Sequence, residues 1–156
     1  MVGLVANGQS LLAASSEMVV DSGAFWTILF PSTFGRLDNA ITQAMTPLNF
    51  SRSFSRGPSY ICFESRADSL YFKGKHSVFS DWSILPTMQM AFAGGNMTLP
   101  LSGKNLFHNN PDHGLCMNFV KTGNVNFQIL GNRVTRSLGT IFDIQGNRFG
   151  FKYSAC

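Results

Sequence analysis

Apolar residues in this chain fall in short runs or alternate with polar ones, and Gly, Asn, Ser or Pro clusters separate the runs. That pattern predicts short strands and many turns. Leu4 to Leu12 reads as two strands joined at Asn7-Gly8, a pair suited to the type I′ turn of a tight hairpin. Met18-Val19-Val20 is a short apolar strand ending at Asp21-Ser22-Gly23, with the valine pair expected to anchor it in the core. One segment departs from strand spacing. Phe34, Leu37, Ile41 and Met45 recur every three or four residues and form one apolar helix face. Pro31-Ser32 opens this helix with Ser32 as the expected N-cap, and Pro47 stops it near Met45.

Residues 49–59 are rich in Ser, Arg, Gly and Pro and read as loop. Tyr60 to Phe63 is strand-like, and residues 64–83 are polar and irregular. Thr87 to Phe92 alternates through Met88, Met90 and Phe92, then turns at Gly94-Gly95-Asn96 into Met97-Thr98-Leu99. Leu115 to Val120 and Phe127 to Leu130 are further strands, the second closed by Gly131. After Arg133-Val134-Thr135-Arg136 a final hairpin runs in over Gly139 to Ile144, turns at Gln145-Gly146-Asn147 and leaves over Arg148 to Tyr153. With one or two short helices and no repeat or linker, residues 1–156 are expected to form a single, all-β-dominated domain.

Composition narrows the field. The chain has 156 residues, 44% of them hydrophobic and 13% charged, which suits one domain with a real core and not a disordered chain. The net charge is +4, but Arg52, Arg56, Arg66, Lys73, Lys75, Arg133, Arg136 and Arg148 are scattered, so no nucleic-acid partner is expected. No apolar run reaches the roughly 18 residues of a membrane span. The first twenty residues lack the basic and apolar regions of a signal peptide. Cys62, Cys116 and Cys156 form no C-x-x-C pair, and an odd count leaves a free thiol or a bond to another chain. The sequons at Asn49 and Asn96 are usable for glycosylation only in the secretory pathway. His108 and His113 flank a polar loop and His76 stands apart, so neither a metal nor a cofactor is expected. Met45, Met88, Met90, Met97 and Met117 read as gap-filling core residues, and Phe25 and Trp26 as core, with the lining of a binding subsite as their alternative.

The chemistry-bearing segment is Val19-Val20-Asp21-Ser22-Gly23. A carboxylate emerges at a strand end, and a glycine lets a backbone N–H reach it. The Ser22 hydroxyl is free to bond a facing loop. Alone, Asp-Ser-Gly is also a common turn. Further segments follow in order: Leu85-Pro86-Thr87-Met88, Phe92-Ala93-Gly94-Gly95, Leu99-Pro100-Leu101, Phe127-Gln128-Ile129-Leu130-Gly131-Asn132, and the ending from Phe142 to Phe151. Asn7-Gly8-Gln9-Ser10-Leu11 precedes the aspartate. This ordered set resembles the C-terminal lobe of pepsin-like aspartic peptidases of the plant, nepenthesin-like type, and the likeness covers nearly the whole chain.

The resemblance implies that Asp21 is catalytic, supported by Ser22, Gly23 and Ala24. Ile129, Leu130 and Gly131 would form the psi-shaped crossing beside it, and Cys62 would pair with Cys116. It implies peptide-bond hydrolysis by two aspartates that share one water, a peptide or protein substrate, and a secreted or vacuolar setting. Two features break the pattern. There is no second Asp-Thr/Ser-Gly, so the second carboxylate must come from a missing N-terminal lobe or a second copy of the chain. Glu17, Asp38, Glu64, Asp68, Asp81, Asp112 and Asp143 sit in contexts that read as turns or exposed positions. Ala24 replaces the hydroxylic residue that follows the glycine in most of these enzymes. A non-catalytic peptidase-fold binding protein, or an inactive fragment, is therefore the alternative. A lobe without its partner is further expected to expose apolar surface.

Overall fold

The structure is a computed structural model that describes residues 2–6, 9–11, 17–53, 60–65, 79–92, 97–123 and 126–153. In chain order it begins with β1 (Val2–Ala6), β2 (Gln9–Ser10), β3 (Met18–Val20) and β4 (Thr27–Leu29). Helix α1 (Pro31–Met45) follows, then β5 (Phe50–Ser53), β6 (Cys62–Ser65), β7 (Met88–Phe92) and β8 (Met97–Leu101). A short α2 (Gly103–Leu106) leads into β9 (Phe107–Asn110), β10 (Gly114–Met117), β11 (Phe119–Lys121) and β12 (Gln128–Leu130). The chain ends in a helical turn, α3 (Asn132–Thr135), and the hairpin β13 (Leu138–Asp143) and β14 (Arg148–Tyr153).

Three four-stranded sheets share one core. Their orders are β2-β1-β7-β8, β5-β6-β10-β9 and β11-β4-β12-β3, while among the described strands β13 and β14 pair only with each other. Val5 pairs with Ser10 and Ala6 with Gln9, as a tight hairpin requires; Asn7 and Gly8 themselves lie outside the described residues, as do Gly94-Gly95-Asn96. Helix α1 buries Phe34, Leu37, Ile41 and Met45, the face read from their spacing. Burying each such side chain stabilises the fold by about 1.5–3 kcal/mol. The cap differs from expectation. Pro31 takes the first helical position, where its missing N–H costs nothing, so extended Phe30 is the N-cap and Ser32 lies inside the helix. Met45, Met88, Met90 and Met117 are buried core residues; the side chain of Met97 is outside the described set.

Polar strands account for the main departures. Residues 50–53 form β5, not loop, because an edge strand needs only one buried anchor, here Phe50. Tyr60–Phe63 shifts to Cys62–Ser65. Phe107–Asn110, left outside any element by its polarity, is β9. Arg133–Arg136 becomes the end of a helical turn and the turn that follows it. The single strand expected over Leu115–Val120 breaks at Asn118, where the chain leaves the β5-β6-β10-β9 sheet and joins β4 in the β11-β4-β12-β3 sheet. Asn118 is fully buried, and its amide donates to the carbonyls of Asn105 (2.9 Å) and Phe107 (3.0 Å). These bonds satisfy polar backbone that the switch would otherwise strand in the core. Cys62 and Cys116 sit opposite each other on β6 and β10 and form a disulfide.

Candidate active-site crossing

Strands β3 and β4 are the two arms of the Asp21 loop, and β12 lies between them. It runs parallel to β3 in the register Gln128↔Met18, Ile129↔Val19 and Leu130↔Val20, and antiparallel to β4 at Ile129↔Ile28. The loop is then stitched across the end of β12. Asp21 N–H donates to Leu130 O (3.1 Å), Asn132 N–H to Ala24 O (2.8 Å) and Arg133 N–H to Phe25 O (3.3 Å). Asn132 Nδ2 donates to Ser22 O (3.2 Å), and Gly131 N–H donates to the hydroxyl of buried Thr27 (3.0 Å).

Gly131 is required by closeness and not by dihedral freedom. Its φ is −91°, open to any residue, but a Cβ there would stand 2.3 Å from the carbonyl oxygen of Trp26. The crossing closes only because that atom is missing. Asp21 emerges above it, exposed, with Oδ1 accepting the Gly23 N–H at 2.8 Å. No described cation pairs with it: the one ion pair among the described residues joins Arg52 to Asp38 at 2.9 Å. Ser22 and Ala24 meet the crossing through their carbonyls. Ile129 is half-buried, and Leu130 and Gly131 are buried. Val19 is 48% exposed, contrary to the expected core anchor, because β3 is the edge strand of its sheet.

Behind the loop sits a polar and aromatic cluster that the pattern of residues did not reveal. His108 was expected on an exposed loop; it lies on β9, buried, with Nδ1 3.0 Å from Asn118 Oδ1. Because the Asn118 amide donates to two carbonyls, its Oδ1 faces the imidazole, so Nδ1 carries the proton. Burial first, then the charge of Arg133, lowers the His108 pKa from 6.5 to about 4, against the raising effect of the Asn118 bond. The ring lies 5.0 Å from Trp26, which also stacks on Tyr60 at 5.7 Å. Phe25, expected in the core, is 49% exposed. It meets Trp26 edge to face at 5.0 Å, and the Arg133 guanidinium packs on both rings, 4.1 Å from Phe25 and 4.7 Å from Trp26. The one available signal was the adjacency of Phe25-Trp26 to the Asp-Ser-Gly segment.

A cleft of about 370 Å³ joins Val20 to the terminal hairpin, lined by Phe142, Ile144, Asn147, Arg148 and Phe149 among others. Ile141, Phe142 (61%) and Ile144 (90%) stand exposed there, and Phe127 is exposed beside β12. The other acids take structural places. Asp38 lies within α1, paired to Arg52, and not in a turn; Asp81 accepts from Ser83 in the 3₁₀ turn of Trp82–Ile84. Asp143 accepts the Gly146 N–H, Asp112 lies in a turn, and Asp68 is outside the described residues. Among the described residues no group of His, Cys, Asp or Glu could hold a metal. No helix of the described chain is long and apolar enough to cross a membrane. Asn49 is exposed, with φ 61°; Asn96, His76 and Cys156 lie outside the described residues.

A β-rich lobe with a glycine-closed crossing beneath an aspartate turn is one lobe of the pepsin-like aspartic-protease fold, and comparison with known structures agrees. The crystal structure of basic 7S globulin from soybean superposes with a TM-score of 0.69 at 15% identity, over 97% of this chain and 36% of that one. The crystal structure of edgp gives 0.75 at 17% identity, over 97% and 38%. The chain thus spans well under half the length of either protein. Residues 4–153 match the family described as xylanase inhibitor C-terminal, and the chain belongs to that family. No curated protein matches the sequence. The matches support the pepsin-like C-terminal lobe and not the nepenthesin-like type in particular.

Proposed function

We propose that this chain is the C-terminal lobe of a two-lobed pepsin-like protein and that Asp21 is one half of a peptide-hydrolysing carboxylate pair. The other half comes from a second lobe or a second copy of the chain. One observation carries the reading: the Asp21 carboxylate is displayed at the crossing, tied to Gly23 N–H and free of any described cation. Two facing carboxylates share a proton, because close like charges do not both ionise easily. The ionised one takes a proton from the bound water, whose oxygen attacks the peptide carbonyl carbon. The protonated one gives its proton to the carbonyl oxygen. The tetrahedral intermediate then collapses, the C–N bond breaks and the leaving amine takes a proton.

A second reading rests on Ala24 and on the family description. A methyl stands where a hydroxyl would orient the carboxylate, and the family is described by an inhibitor. On that reading the face binds a polypeptide without cutting it, or the chain is an inactive fragment. Residues 1–156 form a single domain on either reading. The disulfide fits a secreted or vacuolar protein, and Asn49 is open to glycosylation. The test is cleavage of a denatured protein at acidic pH, with the chain alone at rising concentration and with an added lobe bearing Asp-Thr-Gly. Cleavage is expected, with a loss of about 10²-fold or more in Asp21→Asn. Cleavage unchanged in that variant, or none with either partner, overturns the catalytic reading.

A further inference from the structure

We propose that Arg133, packed in the corner between Phe25 and Trp26 beside the Asp21 loop, is a carboxylate-reading subsite that selects polypeptides carrying an acidic side chain. The inference rests on the reading that the Asp21 face engages a polypeptide.

The two arginines near His108 are built differently. Arg136 spends its Nη2 on protein carbonyls, those of Lys104 and Phe107. That is the arrangement of a structural arginine. Among the described residues the Arg133 guanidinium makes one long hydrogen bond, Nη1 to Asn118 Oδ1 at 3.5 Å. The rest of its environment is aromatic, at 4.1 Å from Phe25 and 4.7 Å from Trp26. A guanidinium whose carbon sits over aromatic rings, and whose N–H groups are not taken up by protein carbonyls, can offer two of them to the two oxygens of a carboxylate. No carboxylate of the described residues forms an ion pair with it.

The position is fixed as well as charged. Arg133 N–H donates to Phe25 O, and the preceding Asn132 binds both Ala24 O and Ser22 O, so the cation is tied to the loop that carries Asp21. Trp26 is backed by Tyr60 and His108, which makes it a firm wall. Phe25 is half exposed, so the corner is open to solvent on one side. Partial burial strengthens the field that an incoming anion feels, and a pre-set side chain loses little entropy on binding. An acidic residue flanked by an apolar one fits both the cation and the Phe25 ring.

The test uses the full chain, ¹⁵N-labelled, and two end-blocked peptides that differ only by Glu against Gln. Binding is followed by calorimetry and by the Gly23 amide and Trp26 indole signals. The Glu peptide is expected to bind about tenfold more tightly, as one charge-assisted hydrogen-bonded pair provides. Arg133→Gln should erase the difference and Arg133→Lys should keep only part of it, with both variants checked by circular dichroism and melting. Equal affinity for the two peptides, with Gly23 still shifting, overturns the subsite and leaves the polypeptide-binding face standing. An acidic preference that survives Arg133→Gln also overturns it, since another cation would be the reader. No shift at Gly23 or Trp26 with either peptide overturns the underlying reading and the subsite together.

Discussion

The crossing and the terminal hairpin are made of similar residues and treated in opposite ways. At the crossing, residues far apart in sequence lock each other: Gly131 to Thr27, Asp21 to Leu130 and Asn132 to Ala24. Among the described strands the hairpin pairs only with itself, in register from Leu138↔Tyr153 to Asp143↔Arg148, and it turns Ile141, Phe142 and Ile144 to solvent. Its rings pack mainly on one another, Phe142 on Phe149 at 5.2 Å and Phe149 on Phe151 at 4.6 Å, with Phe151 touching Phe92 of β7. The difference separates two kinds of apolar surface. One is consumed in folding. The other survives folding and stays exposed to solvent.

Glycine-to-alanine exchange should divide the regions most sharply. Gly131→Ala forces a Cβ against the Trp26 and Ala24 carbonyls, which are backbone and cannot swing aside. We expect a loss of about 3 kcal/mol or more. Gly150→Ala in β14 meets nothing within 4 Å and should leave stability nearly unchanged. Urea midpoints of the two variants decide the matter. Equal midpoints would mean that the crossing is not the locked element described.

Much of this contrast was legible before any coordinates, and the part that was not has a physical cause. Helix α1 and strands β7 and β12 follow from apolar periodicity, which reports burial on one face. The Asp-Ser-Gly and Ile-Leu-Gly segments were recognisable as motifs. Polar strands escaped, because β5 and β9 owe their conformation to neighbours and not to their own apolar content. Asn118 and His108 escaped for a deeper reason. A buried polar side chain is stable only through partners supplied by other segments, here Asn105, Phe107 and Arg133. No local pattern encodes those partners. Phe25 was misplaced for the converse reason: an aromatic residue reads as core unless the cation packed on it is seen.

A second probe of the crossing is pH. The folded-state pKa of His108, about 4, lies below its ordinary 6.5, so between these values the unfolded chain binds the proton first. The contribution is fully present above about 6.5 and is lost as pH falls through about 4. The groups facing the imidazole are Trp26, Asn118, Arg133 and Arg136, and the two cations oppose any new charge. Wild type should therefore become easier to unfold by urea across this window. His108→Gln, which cannot ionise, should flatten that slope. A slope unchanged in the variant would assign the acid sensitivity to carboxylates elsewhere.

The hairpin calls for the gentlest experiment, because its exposed apolar residues contribute little to the fold that carries them. Ile144 is 90% exposed and Phe142 61%, so removing them gives up little buried area beyond the Phe142 contact with Phe149. The double variant Phe142→Ser, Ile144→Ser is expected to cost about 1 kcal/mol of stability. What it should change is association, because these side chains line the cleft that reaches Val20 and the strand leading to Asp21. Sedimentation velocity over a range of concentrations is expected to show wild type self-associating and the variant monomeric. If both are monomeric throughout, the hairpin is no interface for a second copy. If the variant unfolds instead, the hairpin belongs to the core and the contrast with the crossing collapses.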